Sequence, residues 1–398
     1  MTNILDKGYN IAKILEDKGH KAYLVGGCVR DYILGRKIND VDITTDATPD
    51  QIQEVYKDYR QIDFGKKFGT IKILYDNEEF EITTFRIEDD YKDNRHPSNV
   101  EFSKEIDEDL KRRDFTINAM TLRNGKVYDP FNGRADIDKK LIRAVGKPEE
   151  RIKEDALRML RAVRFSIQLD FNIEEELKIA IKENKDKLDS IARERVHDEL
   201  NKMLIINPYR TITTLKDLEL LDKVFPFPVI RFNELKLAPN DLYTIYGILF
   251  ITNNKNLVEK VLEALKYSCS DISNIESIVK SYKENLSKYD IRKTILEIGL
   301  ENTKRVIDIH YILNKDEEVK KTFEEILKDD IPKERKDIAI NGHDLKRLGF
   351  NQGEELGYML KMIEREILKE KIKNNKEEIE KFVIEKRRKI WNYLRIIF

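Results

Sequence analysis

The chain has 398 residues, of which 40% are hydrophobic and 37% charged, and its formal net charge is -1. This length exceeds what one hydrophobic core usually organises, and the high charge with few Gly and Pro residues favours a mainly helical protein of two to four structural units. The longest apolar run, residues 242–252, is far shorter than the roughly 20 residues of a membrane span, and no signal-peptide pattern opens the sequence, so we predict a cytoplasmic protein without membrane contact.

The chain up to about residue 140 mixes helical and strand-like patterns. Apolar residues at helical spacing over positions 4–15 predict an opening amphipathic helix. Short apolar or alternating runs predict strands at residues 22–25, 40–44, 69–74 and 79–85. We therefore predict an α+β N-terminal unit with a small mixed sheet.

After about residue 149 the pattern is helical to the end, with Pro- and Asn-containing breaks between helices. Cys28 and Cys269 are far apart and lack any paired spacing, so we predict two buried free thiols. The last 18 residues, 381–398, contain six Lys or Arg residues, one Glu, Trp391 and Tyr393. This segment fits either a contact with RNA phosphates or the solvated end of a packed helix.

The first chemical motif is LVGGCVRDYILGRKINDVDIT, residues 24–44. Gly26 and Gly27 follow an apolar strand, where they permit a tight turn and let backbone N–H groups approach a triphosphate. Arg30 supplies a cation nearby. By itself a Gly-Gly pair is usually only a turn, so the motif depends on the carboxylates that follow.

Asp40 and Asp42 are two positions apart in a strand-like context, so both carboxylates leave one face while Val41 and Ile43 point to the core. Two such carboxylates can hold the metal ions of phosphoryl transfer, and Mg²⁺ is the natural candidate for these hard oxygen ligands. A lone Asp-x-Asp is more often a solvated strand face. Glu81 lies on a run that we expect beside this strand, which makes it a possible third acidic ligand.

These residues resemble the signature of the DNA polymerase beta nucleotidyltransferase superfamily, and LVGGCVRDYILGR is close to its bacterial class II CCA-adding branch. KRRDFTINAM (111–120), YDPFNGRAD (128–136) and EDALRMLRAVRF (154–165) resemble later motifs of that branch in the same order, and INGHDLKRLGF (340–350) resembles its helical tail.

The resemblance implies template-independent addition of CCA to the 3′ end of tRNA from CTP and ATP, with Mg²⁺ as cofactor and release of pyrophosphate. It also implies that the C-terminal helices bind the tRNA acceptor arm. Combined with the helical pattern, it predicts four domains: a catalytic head at 1–142, an all-α neck at 143–208, a body at 209–300 and a tRNA-binding tail at 301–398.

Asp155 and Arg158 are the candidate base-reading pair. On an ideal helix they lie opposite the apolar sector that contains Leu160 and Val163. A carboxylate accepts from an exocyclic amine and a guanidinium donates to a ring nitrogen, a combination that fits cytosine and adenine and opposes guanine and uracil. Seen alone, the two residues would more often form an ordinary i,i+3 ion pair on a solvated helix.

Further nucleotide-binding candidates come from the second and fourth motifs. Arg113 is the best candidate for a phosphate or base contact, with Asp114 orienting it. Asn118 fits either a sugar contact or a helix-surface amide. Arg161 lies toward the ligand side of the helix, whereas Arg164 lies near the apolar sector and is expected to be partly buried; the resemblance places both near the nucleotide.

Other functions stay open at this point. A poly(A) polymerase or a partial, A-adding tRNA nucleotidyltransferase would share the head motifs, and a non-catalytic RNA-binding protein could retain the scaffold. The polar segment 86–110 looks like the flexible loop of full CCA-adding and A-adding members. Its length favours these over the shortened CC-adding members.

Overall fold

The computed structural model describes residues 3–91, 97–329 and 332–397. The chain forms two compact units, residues 1–227 and residues 228–398. The four-domain division stays a prediction. Within the described ranges, no helix combines the length and the apolar character that crossing a bilayer requires.

The N-terminal unit contains eleven named strands within the described residues. They are β1 Ala22–Val25, β2 Asp42–Thr45, β3 Arg60–Gly65, β4 Thr70–Tyr75, β5 Glu78–Thr84, β6 Arg86–Tyr91, β7 Pro97–Phe102, β8 Thr121–Arg123, β9 Lys126–Tyr128, β10 Leu141–Ile142 and β11 Asn172–Ile173. The main sheet has the order β3-β4-β5-β2-β1-β8-β9, in which only the β2/β5 pair is parallel. The predicted mixed sheet is confirmed.

The helices of this unit precede, interrupt and follow the sheet. They are α1 Ile4–Asp17, α2 Gly27–Ile33, α3 Pro49–Val55, α4 Ile106–Lys111, α5 Gly133–Asp138, α6 Pro148–Glu154, α7 Arg158–Leu169, α8 Glu175–Asn184, α9 Arg193–Leu204, α10 Pro208–Asp217 and α11 Leu221–Val224. The predicted opening helix corresponds to α1. Asn3 caps its N-terminus, since the Asn3 side chain accepts a hydrogen bond from the Leu5 N–H.

The sheet has one buried face because its central strands alternate. In β5, Phe80 and Ile82 are fully buried while Glu81 between them is half-buried. Helix α1 contacts β1 and β2, and its Ile11 and Leu15 are also fully buried. Burial of these side chains fixes the register of the strands, so the odd-numbered residues of β5 occupy the opposite face.

One expectation needs correction and one stays a prediction. The segment 86–110, compared above with a flexible loop, has regular structure in its described part: β6 and β7 form an antiparallel two-stranded sheet, and α4 follows it. Its flexibility stays a prediction. Cys28 is buried as expected, but Cys269, the first residue of α14, is exposed.

All the regular secondary structure described in the C-terminal unit is helical. It contains α12 Leu242–Asn253, α13 Val258–Ala264, α14 Cys269–Ser281, α15 Lys288–Asn314, α16 Glu317–Lys328, α17 Gly342–Arg347, α18 Glu354–Leu368 and α19 Lys376–Ile397. Non-helical backbone at Gly299 interrupts α15. The side chains of residues 388–397 lie outside the described part, so the proposed role of the basic C-terminal segment stays a prediction.

Candidate active site

The turn at Gly26 joins β1 to α2 with a backbone that favours glycine, φ +81° and ψ -134°. A Cβ atom at this position would lie 3.2 Å from Nη1 of Arg113 and 3.6 Å from Oδ2 of Asp42. Glycine therefore lets the backbone lie directly against a guanidinium and a carboxylate. Gly27 begins α2, so N–H groups at the start of that helix also belong to this turn.

Asp40 and Asp42 lie on the open face at the start of β2. Val41 and Ile43 are fully buried, which confirms the predicted alternation. Burial, followed by the negative charge of Asp40, raises the pKa of Asp42 from its ordinary value to about 6. The two carboxylates are thus held close enough to repel each other, an arrangement that a cation would relieve.

Glu81 lies where the strand pattern placed it. It is directly opposite Asp42 in the parallel β2/β5 pair, and its carboxylate bonds the ammonium of Lys72 at 2.8 Å. Among the described residues, no group of three or more His, Cys, Asp or Glu side chains is arranged to hold a metal. The two Asp carboxylates nevertheless supply hard oxygen donors that fit Mg²⁺, whereas Glu81 is already paired.

Arg113 is oriented by Asp109, which the sequence reasoning missed. The fully buried Asp109 accepts from Nη2 of Arg113 at 3.2 Å and from the Thr44 hydroxyl at 3.2 Å. Nε of Arg113 is buried and has no hydrogen-bond partner among the residues that the structure describes. The expectation that Asp114 orients Arg113 is wrong, because the i,i+4 spacing brings Asp109 to that guanidinium and turns Asp114 away from it.

Asp114 instead anchors Arg161 and Asn118. Its Oδ2 accepts from Nε of Arg161 at 2.7 Å, and its Oδ1 accepts from the Asn118 amide at 3.3 Å. Burial alone would raise the pKa of Asp114, but the guanidiniums of Arg161 and Arg158 and these hydrogen bonds lower it to about 2. Asn118 is itself buried, so the alternative of a helix-surface amide is wrong.

Arg30 is almost completely buried, and its guanidinium donates hydrogen bonds to protein acceptors. Nε and Nη2 donate to the Asp31 carboxylate, both at 3.0 Å, and Nη1 donates to Oδ1 of Asn118 at 2.8 Å. All three guanidinium nitrogens therefore already bond protein acceptors. The structure places Arg30 beside the Gly-Gly turn, but a direct contact with a nucleotide stays a prediction.

Asp155 does not lie on the same helix as Arg158, contrary to the helical-wheel interpretation. Helix α6 ends at Glu154, Asp155 has extended backbone with φ -144° and ψ 105°, and α7 begins at Arg158. Oδ1 of Asp155 accepts from the Leu157 N–H at 3.0 Å. This local side-chain bond competes with helix hydrogen bonding and explains the break.

Protein groups hold both members of the candidate base-reading pair. Arg195, on α9, donates to Asp155 from Nη1 at 3.3 Å and from Nη2 at 2.7 Å. Arg158 bonds the carboxylate of Glu154 and donates to the backbone carbonyls of Arg151 and Arg112 at 3.1 and 2.9 Å. The Arg112 contact joins the start of α7 to the motif that carries Arg113.

Arg164 is partly buried, as predicted. Its side chain is 12% exposed, and Nε donates to Glu199 at 2.6 Å. The guanidinium carbons of Arg164, Arg161 and Arg30 lie 4.0, 5.3 and 5.3 Å from the centroid of the Phe165 ring. Sequence reasoning missed Phe165, although it ends the fourth motif among those arginines.

Comparisons with known proteins cover most of the chain. Residues 22–143 match the poly(A) polymerase head domain, residues 170–229 a probable RNA- and SrmB-binding site of polymerase A, and residues 240–383 a putative second domain of tRNA nucleotidyltransferase. The CCA-adding enzyme of Lactobacillus helveticus is 36% identical over 394 residues, with 96% of this chain and 98% of the relative covered. The Staphylococcus aureus CCA-adding enzyme is 34% identical with the same coverage.

Solved structures of CCA-adding enzymes share the fold of this chain. The Bacillus stearothermophilus CCA-adding enzyme in complex with CTP superposes with a TM-score of 0.82 at 28% identity, covering 99% of this chain and all of that chain. The Thermotoga maritima CCA-adding enzyme complexed with tRNA shares the fold, with a TM-score of 0.67 at 23% identity, covering 96% of this chain and 95% of that chain.

Proposed function

The chain belongs to the family of CCA-adding enzymes, and we propose that it builds the CCA end of tRNA from CTP and ATP through nucleotidyl transfer at Asp40 and Asp42. The observation that carries the site assignment is the carboxylate pair itself: Asp42 is partly buried, repelled by Asp40, and adjacent to a turn at which Gly26 carries no side chain.

CCA-adding nucleotidyltransferases are generally metal-dependent, and we propose Mg²⁺ as the metal, held by Asp40 and Asp42. Bound there, it would neutralise triphosphate charge and favour the ionised 3′ hydroxyl. The reaction joins the 3′ oxygen of tRNA to the α-phosphorus of the nucleotide, and pyrophosphate leaves.

The protein groups have separate tasks in this proposal. Backbone N–H groups at Gly26 and Gly27 approach the triphosphate, since neither residue carries a side chain of its own. Arg113 and Arg161 supply positive charge, each held in place by one carboxylate, Asp109 and Asp114 respectively. Preorganised cations of this kind stabilise the charge that develops on the departing pyrophosphate.

Base selection is assigned to Asp155 and Arg158. The carboxylate accepts from the exocyclic amine of cytosine or adenine, and the guanidinium donates to the unprotonated ring nitrogen. Guanine and uracil offer a donor and a carbonyl in the opposite places. One pair of side chains can therefore accept both CTP and ATP without a nucleic-acid template.

The body and tail are proposed to hold the tRNA acceptor arm. The RNA-binding and tRNA nucleotidyltransferase domain matches over residues 170–229 and 240–383 support this assignment. The predicted cytoplasmic location stays a prediction.

The test of function uses three tRNAs that end before, within and after CCA, each incubated with labelled CTP or ATP. We expect two C additions and one A addition, with no extension of the completed end. Long oligo(A) products would favour the poly(A) polymerase alternative, and A addition without C addition would favour the A-adding one.

The metal assignment is tested with Asp42→Ala, and Asp58→Ala serves as the matched control because its exposed carboxylate lies in the same unit. We expect Asp42→Ala to lose incorporation by a factor of about 10³ or more, as is usual for loss of a major electrostatic contribution. Normal incorporation by Asp42→Ala would overturn the assignment.

A further inference from the structure

Three charged side chains form a row across the open face of the main sheet. Asp42 on β2 lies directly opposite Glu81 on β5, and Glu81 lies directly opposite Lys72 on β4. The adjacent positions of the same three strands carry fully buried isoleucines, Ile43, Ile82 and Ile71. Because side chains alternate along a strand, the three charged residues share the face on which the candidate metal-binding carboxylates lie.

Glu81 is bonded to Lys72 rather than grouped with the carboxylate pair. Neighbouring strands lie about 4.8 Å apart, so a carboxylate directly opposite Asp42 is near enough to share a cation with it. Among the residues that the structure describes, however, no three carboxylates gather in an arrangement suited to a metal. The Glu81 carboxylate instead bonds Nζ of Lys72 at 2.8 Å. The ammonium of Lys72 thus holds a carboxylate that lies next to the metal-binding pair.

The charge of Lys72 also acts on the pair. Burial and then the charge of Asp40 raise the pKa of Asp42 to about 6, and Glu81 raises it further. The positive charges of Arg113 and Lys72 lower the pKa of Asp42. A hydrogen bond and the charge of Glu81, with a smaller effect of Asp40, raise the pKa of Lys72. The ammonium therefore supplies some of the positive charge that a bound metal ion would supply, so the two cations compete.

The Lys72–Glu81 pair lies on the side of Asp42 that is opposite the glycine turn. Val25, which precedes Gly26, is paired with Asp42 on β1, whereas Glu81 is paired with Asp42 on β5. In-line transfer places the attacking hydroxyl and the departing pyrophosphate on opposite sides of the α-phosphorus. With the triphosphate at the glycine turn, as proposed, the 3′ hydroxyl of tRNA approaches from the side of the Lys72–Glu81 pair.

We propose that Lys72 is a positioning residue that competes with Mg²⁺ for Glu81: its ion pair keeps this carboxylate out of the metal site and thereby lowers the affinity of the site for the cation. The inference rests on the proposed function, in which Asp40 and Asp42 hold the metal. The Lys72 and Glu81 side chains are 39% and 43% exposed. An ion pair so exposed to water is weak, which allows a divalent cation to open it.

The test measures binding of Mg²⁺ alone to the full chain, without nucleotide or tRNA. The observable is the rise of the thermal unfolding midpoint during a MgCl₂ titration at constant ionic strength. The proteins are the wild type, Lys72→Met, Glu81→Gln and the double variant. Lys126→Met is the matched control, because Lys126 is an exposed lysine on β9, the edge strand on the far side of the same sheet.

We expect Lys72→Met to reach a given rise of the midpoint at a Mg²⁺ concentration about threefold to tenfold lower than the wild type needs, because Glu81 becomes available as a ligand and a nearby positive charge is removed. Lys126→Met should match the wild type. In the Glu81→Gln background, Lys72→Met should lose most of its effect, since the neutral amide is a poor substitute for a carboxylate ligand.

A second substitution at the same position grades the effect. Lys72→Gln can still donate a hydrogen bond to Glu81 but carries no charge, so it should shift the Mg²⁺ titration in the same direction by a smaller factor. A cooperative unfolding transition without Mg²⁺ verifies that each variant is folded, and Lys72→Gln decides the question if Lys72→Met does not fold.

Asp42→Asn separates failure of the inference from failure of the proposed function. If Mg²⁺ stabilises the wild type no more than Asp42→Asn, the metal assignment of the proposed function fails, and the inference fails with it. If the wild type responds to Mg²⁺ through Asp42 but removal of the Lys72 charge changes nothing, the inference alone is overturned. An equal shift in the Glu81→Gln background also overturns it, because Lys72 would then act without Glu81.

Discussion

Replacing Asp42 with Asn should stabilise the protein while it removes activity. The pKa of Asp42 is raised to about 6 from an ordinary 3.8, first by burial and then by the charge of Asp40. A shift of about two units corresponds to about 3 kcal/mol of unfavourable free energy for the charged group in the folded state at neutral pH. Because Asn keeps the shape and removes the charge, Asp42→Asn should gain up to that amount at pH 7.5 without metal.

The pH dependence has a defined sign. The folded state holds the Asp42 proton more tightly, so the stability from this group is fully present below pH 4 and is lost as the pH rises through about 6. The gap between variant and wild type should therefore shrink as the pH falls from 6 to 4. Urea unfolding followed by circular dichroism measures the gap, with the exposed Asp58→Asn as control.

Mg²⁺ binding provides an independent test of the repulsion between Asp40 and Asp42. A cation that binds the folded carboxylate pair should raise the unfolding free energy of the wild type and have a much smaller effect on Asp42→Asn. A variant that is less stable than the wild type at pH 7.5 without metal would refute the reasoning, as would a stability gap that does not change with pH.

Three further changes probe other parts of the molecule. Asp114→Asn should lower the unfolding free energy by about 2.5 kcal/mol at pH 7, because the folded pKa of about 2 lies about two units below the ordinary value; urea titrations should show the difference disappearing as the pH falls from 4 to 2, and a constant difference would contradict the cause. Gly26→Ala should cost about 1–3 kcal/mol in calorimetry through its positive φ, and should raise the KM for nucleotides because the new methyl group crowds Arg113; an unchanged KM would contradict the proposed approach of the triphosphate. Arg292→Met should destabilise the C-terminal unit by about 2 kcal/mol in urea unfolding, since the buried guanidinium joins carboxylates from two segments; an equally stable variant would show that this contact is not a stabilising one.

Local sequence patterns anticipated much of the site. Gly26 and Gly27 after a short apolar run indicated a turn, and the two-residue period around Asp42 indicated which side chains face the core. The same period on the neighbouring run placed Glu81 beside that strand, and the structure confirms this position. Each inference needed only a few adjacent residues and the geometry of a strand.

Inferences that depended on a partner from elsewhere in the chain were less successful. Asp114 was assigned to its neighbour Arg113, but it bonds Arg161, 47 positions away, while Asp109 takes Arg113. The helical-wheel interpretation placed Asp155 on the same helix as Arg158. In the structure the Asp155 side chain bonds the Leu157 N–H and interrupts the helix before α7. Spacing alone cannot show which of several nearby carboxylates reaches a given guanidinium.

The sequence by itself determined which chemical groups the candidate site contains: a glycine turn, two carboxylates on one strand face, and a carboxylate and a guanidinium that we propose read cytosine and adenine. Only the tertiary structure decided how those groups are oriented. Arg195 reaches Asp155 across 40 positions, and its direction depends on how α9 packs against α7. Periodicity along a chain records which face a residue occupies, whereas the partner of a charged side chain is set by packing between elements that are distant in sequence.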